Sequence, residues 1–130
     1  MIVIDSSAWI EFLRDTGSPI CQAVDDLLPG DLAISDPILM EILAGARDEV
    51  HLLQLRGLLG RAHLLHCTPP DYVAAAAFYR RCRRGGETVR RMIDCLIAAV
   101  TVRNRLPILH LDADFDVLGR HTELVIHRLD

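Results

Sequence analysis

The sequence predicts an α/β domain spanning residues 1–130, with a central, mostly parallel β-sheet flanked by α-helices. Three observations predict it. Short β-branched apolar runs alternate with helical stretches along the whole chain. The first run, Ile2-Val3-Ile4, is apolar at consecutive positions, as in a strand covered on both faces. Gly, Pro and capping residues punctuate the boundaries between runs, and no repeat or linker interrupts them.

Ile2-Val3-Ile4 forms the first strand, and Asp5-Ser6-Ser7 offers caps to a helix reaching about Arg14. Gly17-Ser18-Pro19 breaks that helix; a second runs to about Leu28 and closes at Pro29-Gly30. Leu32-Ala33-Ile34 reads as a strand. Ser35-Asp36-Pro37 then opens a helix, with Pro at its first position, carrying Ile38 to about Ala46. A further helix covers roughly Glu49–Leu59, and Ala62–His66 reads as a strand. Pro69-Pro70 starts an Ala-rich helix from Asp71 to about Arg83, ended by Gly85-Gly86. Thr88 begins a helix to about Asn104, with Ile93, Leu96, Ile97 and Val100 on one face. Pro107 introduces a strand at Ile108–Leu111, Asp114–Leu118 is a short turn or helix, and Leu124–His127 is a last strand.

Composition excludes several classes. Apolar residues make up 51% and charged residues 25%, which rules out a disordered chain. Aromatics are only 5%, so Leu, Ile, Val and Ala fill the core. The longest apolar runs, such as Val73–Tyr79, fall short of the roughly 18 residues of a membrane helix. Met1-Ile2-Val3-Ile4-Asp5 carries no basic leader and no cleavage site, so the expected compartment is the cytoplasm. Cys21, Cys67, Cys82 and Cys95 show no zinc spacing and read as reduced, buried, small apolar residues. His63, His66 and Cys67 lie close together, but no second ligand pair follows; a strand with scattered His is the simpler reading.

The formal net charge is −4, which alone argues against a nucleic-acid partner. All fourteen basic residues are Arg, however, and six fall together: Arg80, Arg81, Arg83, Arg84, Arg90 and Arg91. The guanidinium fork suits phosphate, so a local basic patch can coexist with an acidic total. A solvated helix end explains the same cluster equally well.

The acids carry more information. Two strands deliver an Asp at their carboxyl end, Asp5 and Asp112, the edge where open parallel sheets bind ligands. Two helices hold stranger ones. Glu41 is the only polar side chain in Pro37–Ala44, and Asp94 the only charge in Met92–Val100. A buried lone carboxylate costs several kcal/mol unless it is paired, protonated or metal-bound. Arg pairing is one resolution, since Arg90 and Arg91 stand at i−4 and i−3 from Asp94. Pairing gives no reason, though, to place acids on two strand ends and two apolar helices. If the four converge, neighbouring carboxylates repel by about 4 kcal/mol per pair at an effective dielectric near 20. Shared protons or a hard divalent cation relieve that. Four oxygen donors without convergent His or Cys favour Mg²⁺ or Mn²⁺. Such an ion points to phosphodiester chemistry by activated water, with the Arg80–Arg91 stretch holding the phosphate backbone.

Four segments in order, Asp5–Leu13, Glu41–Gly45, Asp94–Ala99 and Leu111–Phe115, resemble the PIN-domain ribonucleases. Length and order look like the VapC toxins of bacterial VapBC toxin–antitoxin pairs, and the similarity spans nearly the whole chain. The resemblance implies a PIN-like fold with Asp5, Glu41, Asp94 and Asp112 as the catalytic quartet. Asp5, Asp94 and Asp112 would hold metal with Asp114, the second acid of the DxDF segment, as an auxiliary ligand. Ser6 matches a hydroxyl that holds one acid or a metal-bound water. His110 departs from the family's usual Thr or Ser, and Asp116 lies outside the pattern and reads as surface. The same resemblance implies a homodimer, a VapB-like antitoxin that pushes a segment into the acid pocket, and structured RNA targets such as tRNA or rRNA.

The expected function is therefore a Mg²⁺- or Mn²⁺-dependent endoribonuclease acting as the toxin of such a pair. The alternative is a non-catalytic PIN-type module working through dimer and partner surfaces, with its acids paired to Arg. A flap-type DNA nuclease is disfavoured by the absence of duplex-clamping helices. A phosphotransfer receiver is disfavoured because the chain has no Lys, and a dinucleotide enzyme because no GxGxxG follows a strand.

Overall fold

The computed structural model describes residues 1–129; Asp130, the last residue of the expected domain, lies outside them. Four strands, β1 (Ile2–Ile4), β2 (Leu32–Ser35), β3 (His63–Leu65) and β4 (Ile108–Leu109), form one sheet in the order β3-β2-β1-β4. Every pairing is parallel, with Val3 opposite both Ala33 and Ile108, and Ile34 opposite Leu64. The predicted fold class is the observed one. Seven helices accompany the strands: α1 (Ser6–Leu13), α2 (Pro19–Leu27), α3 (Asp36–Ala44), α4 (Glu49–Leu59), α5 (Pro69–Arg84), α6 (Met92–Arg103) and α7 (Ala113–His121).

Parallel strands need crossovers that cover both faces, so the central strands have no polar face. Val3, Ile4, Ala33, Ile34, Ile108 and Leu109 are all buried, as their unbroken apolar runs predict. The edge strand β3 is different: His63 and Leu64 face solvent. From β1 the chain builds outward to β2 and β3, then returns through α5 and α6 to place β4 on the other side of β1. The order therefore reverses between β1 and β4. A ligand crevice is expected outside the carboxyl ends of strands flanking such a reversal. Asp5 follows β1 and Asp112 follows β4, so both acids stand at that crevice.

Two expected elements and one expected cysteine environment need correction, and one open alternative is resolved. The helix expected from Thr88 begins only at Met92, because the Arg90 and Arg91 backbone N–H groups donate to the Asp114 carboxylate (3.0 and 3.1 Å) and hold the segment extended. Of the turn or helix expected at Asp114–Leu118, the helix forms and is longer, nine residues, since Asp112 accepts the Asp114 N–H as its N-cap and Phe115 and Leu118 anchor it in the core. The last strand reduces to an isolated bridge between Ile126 and Ile108, because β4 is only two residues long and offers no further partner. Cys21, Cys82 and Cys95 are buried thiols as expected, and burial pushes Cys95 up to about 12; Cys67 is only half-buried.

The extended segment between α5 and α6 is anchored at its start by a close approach. Glu87 pairs with Arg120 and His121 of α7 (2.5 and 2.9 Å). A Cβ on Gly85 would sit 2.3 Å from the His121 ring. Gly85→Ala is thus expected to drive His121 off Glu87 and destabilise the fold by about 1 kcal/mol. A urea unfolding midpoint unchanged by that substitution would show that the ring gives way freely.

Candidate active site

Asp5 is the N-cap of α1. Its Oδ2 accepts from the Ser7 backbone N–H and hydroxyl at 3.0 and 2.6 Å, which uses one oxygen and leaves the other. The Ser7 hydroxyl in turn accepts from Leu111 N–H (2.9 Å), tying the end of β1 to the segment after β4. Glu41, halfway along α3, receives the Ser6 hydroxyl on Oε1 (3.1 Å) and the Arg91 guanidinium on Oε2. Ser6 therefore holds an acid, in one of the two roles expected of it.

Asp94 lies in the first turn of α6 and is buried. Ligand oxygens of Asp94, Asp112 and Asp114 all lie within 4.8 Å of one another. Asp5 lies outside that triad, yet it is close enough for its charge to act on Asp94, as Glu41's acts on Asp5. The dispersed acids thus occupy one end of the sheet, as the sequence predicts.

Two guanidiniums line this cluster. Arg90 reaches Asp112 Oδ1 (3.1 Å) and Asp114 Oδ1 (3.3 Å), and Arg91 reaches Glu41. Neither pairs with Asp94, so the helical Arg–Asp94 pairing weighed from the sequence is not formed. Five carboxylates face two guanidiniums, an excess that the ionised cluster cannot carry without further cations or protons.

The proton affinities show the strain. Burial pushes Asp94 up to about 8, helped by its hydrogen bond to Asp114 and by the charges of Asp112 and Asp5, against the opposing pull of Arg91. Burial also raises Asp5, against its Ser7 hydrogen bonds. Burial alone would raise Asp114 too. The Arg90 and Arg91 donors and Asp94 outweigh it and hold Asp114 below the ordinary carboxylate range.

A buried acid elsewhere supplies the contrast. Asp71 in α5 is as buried as Asp94. It accepts from the Thr68 N–H and hydroxyl (2.7 and 3.0 Å) and from Arg103 Nε and Nη2 (2.8 and 3.0 Å). Burial would raise it, but Arg103 and Thr68 hold it low. Asp71 is what a structural acid looks like: both oxygens have donors. Asp5 Oδ1 and Asp94 Oδ2 are buried with no hydrogen-bond partner at all. Native proteins rarely leave such atoms orphaned. All-oxygen donors with orphaned buried atoms fit a hard divalent cation.

The six clustered arginines are divided by their partners. Arg90 and Arg91 face the acids; Arg81 pairs with Glu123 and Arg83 stacks on Tyr79. Arg80 and Arg84 form no ion pair among the described residues. From the sequence Ser7 is only a capping group, two residues after Asp5; its tie between β1 and the segment after β4 appears in the fold alone. Asp116, expected at the surface, is 55% exposed at its side chain and its carboxylate lies 3.3 Å from His110 Nε2.

A parallel sheet carrying this acid cluster at its carboxyl end is the architecture of a nuclease family. The PIN-domain model matches residues 2–120, and the chain belongs to the PIN-domain family. PIN-domain nucleases use divalent cations, and the Asp94–Asp112–Asp114 triad offers the donors for one. Within the family, the chain is similar to VapC ribonucleases. It is 47% identical over 128 residues to ribonuclease VapC11 of Mycobacterium tuberculosis, covering 95% of this chain and 96% of that protein. A VapC ribonuclease of Mycobacterium bovis matches to the same extent. Two solved structures share the fold. VapBC2 from Rickettsia felis, bound to a promoter DNA fragment, has a TM-score of 0.79 at 16% identity over 100% of both chains. FitAcB from Neisseria gonorrhoeae has 0.78 at 18%, over 98% of this chain and 97% of that one.

Proposed function

We propose that this chain is the toxin of a type II toxin–antitoxin pair, a Mg²⁺- or Mn²⁺-dependent endoribonuclease that hydrolyses RNA phosphodiester bonds. The observation that carries this is the pair of orphaned buried oxygens, Asp5 Oδ1 and Asp94 Oδ2, at the crevice between β1 and β4. The naming of its full-length relatives as ribonucleases supports the substrate class.

In this reading Asp5, Asp94, Asp112 and Asp114 would hold the cation, which would supply an activated water and charge stabilisation at the departing oxygen. The chain's own groups do the rest. Glu41, with one oxygen fixed by the Ser6 hydroxyl, is placed to orient the attacking water and take its proton. Arg90 and Arg91 are half-exposed or more at their side chains, so they can turn from the acids toward a phosphate. Arg80, Arg81, Arg83 and Arg84, at the far end of α5, extend the cationic path for the strand. Products carry 5′-phosphate and 3′-hydroxyl ends, and single-stranded regions of tRNA or rRNA are the substrates an open crevice can reach.

The partners follow the same logic. The intramolecular Arg91–Glu41 contact supports a site suited to a guanidinium, which an antitoxin segment bearing Arg would exploit to block it. A groove of about 630 Å³ between α1, α3 and α4, lined by Ile10, Leu13, Leu55 and Leu58 with Glu41 also in its wall, suits the apolar part of a VapB-like segment. Exposed Tyr72, Val73 and Met92 beside the α5–α6 packing offer an apolar face for a second copy, giving a homodimer. No helix among the described residues is long and apolar enough to cross a membrane. The proposed place of action is the cytoplasm.

The Arg pairs are what the non-catalytic alternative requires; the orphaned oxygens are what it leaves unexplained. Incubating the purified protein with structured RNA, with and without Mg²⁺ or Mn²⁺, decides between them. Cleavage that needs the ion, leaves 5′-phosphates and disappears in Asp5→Ala is the expected result. Intact RNA under every condition, with no Mn²⁺ heat in calorimetry, would leave only the module.

A further inference from the structure

His110 and Asp116 are the two residues near the acid cluster that the family pattern leaves unexplained. The His110 side chain is only 7% exposed and lies against the buried Phe115 ring, centroids 5.3 Å apart. Its Nδ1 accepts the backbone N–H of Asp112 at 3.0 Å. Its Nε2 edge lies 3.3 Å from Asp116 Oδ1, in the first turn of α7. An imidazole that accepts at Nδ1 must carry its hydrogen on Nε2, and a carboxylate beside Nε2 favours that tautomer. Leu111 N–H is taken by Ser7, so the two successive backbone donors at Leu111 and Asp112 are each held by a side chain. Asp112 is thereby fixed in place to cap α7 while facing Asp94 and Asp114.

We infer that His110 and Asp116 act as one positioning unit for the cation site, the imidazole setting the backbone at Asp112 and the Asp116 carboxylate setting the imidazole's tautomer. The inference rests on the metal reading above and assigns neither residue as a ligand. Groups that orient metal ligands in this way are worth about ten- to a hundredfold in metal affinity. The unit also accounts for the sequence departure. A small hydroxyl at position 110 needs no external carboxylate to define its acceptor, whereas an imidazole does.

The test uses Mn²⁺ alone as probe, titrated calorimetrically into the purified full chain. His110→Ala is expected to weaken binding about tenfold, and His110→Asn, which keeps an acceptor near the Nδ1 position, to recover to within about threefold of the parent. Asp116→Ala is expected to weaken binding several-fold in the parent and to have no effect when combined with His110→Asn, since the carboxylate acts only through the imidazole. Nitrogen-15 spectra of the metal-free protein should show His110 in the Nε2–H form, and a mixture of tautomers in Asp116→Ala. Because Asp116 is largely exposed, its variant keeps the inference testable if His110→Ala does not fold. Parent-like Mn²⁺ affinity in folded His110→Ala, or equal losses from Asp116→Ala in both backgrounds, overturns the positioning unit and leaves the metal site standing. A parent that binds no Mn²⁺ overturns both.

Discussion

Asp94→Asn is expected to reduce ion-dependent RNA cleavage by about a thousandfold or more, while the metal-free protein keeps its fold and near neutral pH melts no lower than the parent, being spared the cost of taking up a proton on folding. The first half follows from charge. Asp94 contributes an orphaned buried oxygen and stands within ligand distance of Asp112 and Asp114, and an amide offers the cation a neutral, weaker donor in its place. The second half follows from its proton affinity. With Asp94 pushed up to about 8, the metal-free protein near neutral pH already holds a neutral group there, and Asn reproduces its shape and its neutrality. Asp71→Asn is the control, since it replaces a carboxylate held low by Arg103 and Thr68. That variant should unfold at lower temperature and still bind Mn²⁺. Cleavage by purified Asp94→Asn at the parent rate would remove Asp94 from the chemistry.

The contrast between these two acids also marks what the sequence could reveal. Glu41 and Asp94 stood out because each is the lone polar group in an apolar helix, and Asp5 and Asp112 because each follows an apolar strand. Local pattern sufficed for those, and the parallel sheet then brought them together. Asp71 escaped notice although Thr68-x-x-Asp71 is the spacing of a capping box, because burial of a cap depends on Arg103, 32 residues on. The start of α6 was misplaced for a similar reason. Nothing in Thr88–Arg91 breaks a helix, and the group that holds it extended is Asp114, 23 residues beyond Arg91. Ser7, His110 and Asp116 likewise act through contacts that exist only once β1 and β4 lie side by side. Periodicity reports which residues share a face; it carries no record of which backbone donor a distant side chain satisfies.

Cation affinity is expected to rise steeply with pH up to about 8 and then level off. A divalent ion requires Asp94 as carboxylate, so below that value a proton competes with it, and affinity changes by about tenfold per pH unit for one displaced proton. Between about pH 6 and about pH 8 the gain is about a hundredfold. Burial also raises Asp5, which adds to the slope and cannot reverse it. Folding stability of the metal-free protein runs the opposite way. Asp94's folded value is raised from 3.8 to about 8, so its contribution is fully present below about pH 4 and is lost as pH climbs through about 8. The metal-free melting temperature should therefore fall across that window, in Asp94→Asn it should fall less, and saturating Mn²⁺ should cancel the loss in the parent. Calorimetry in two buffers of different ionisation enthalpy counts the protons released as Mn²⁺ binds. Release of none near neutral pH, with affinity flat across the window, would mean that Asp94 is already ionised in the metal-free fold. The five carboxylates would then be reconciled by Arg90 and Arg91 alone, and the case for a cation would lose its electrostatic cause.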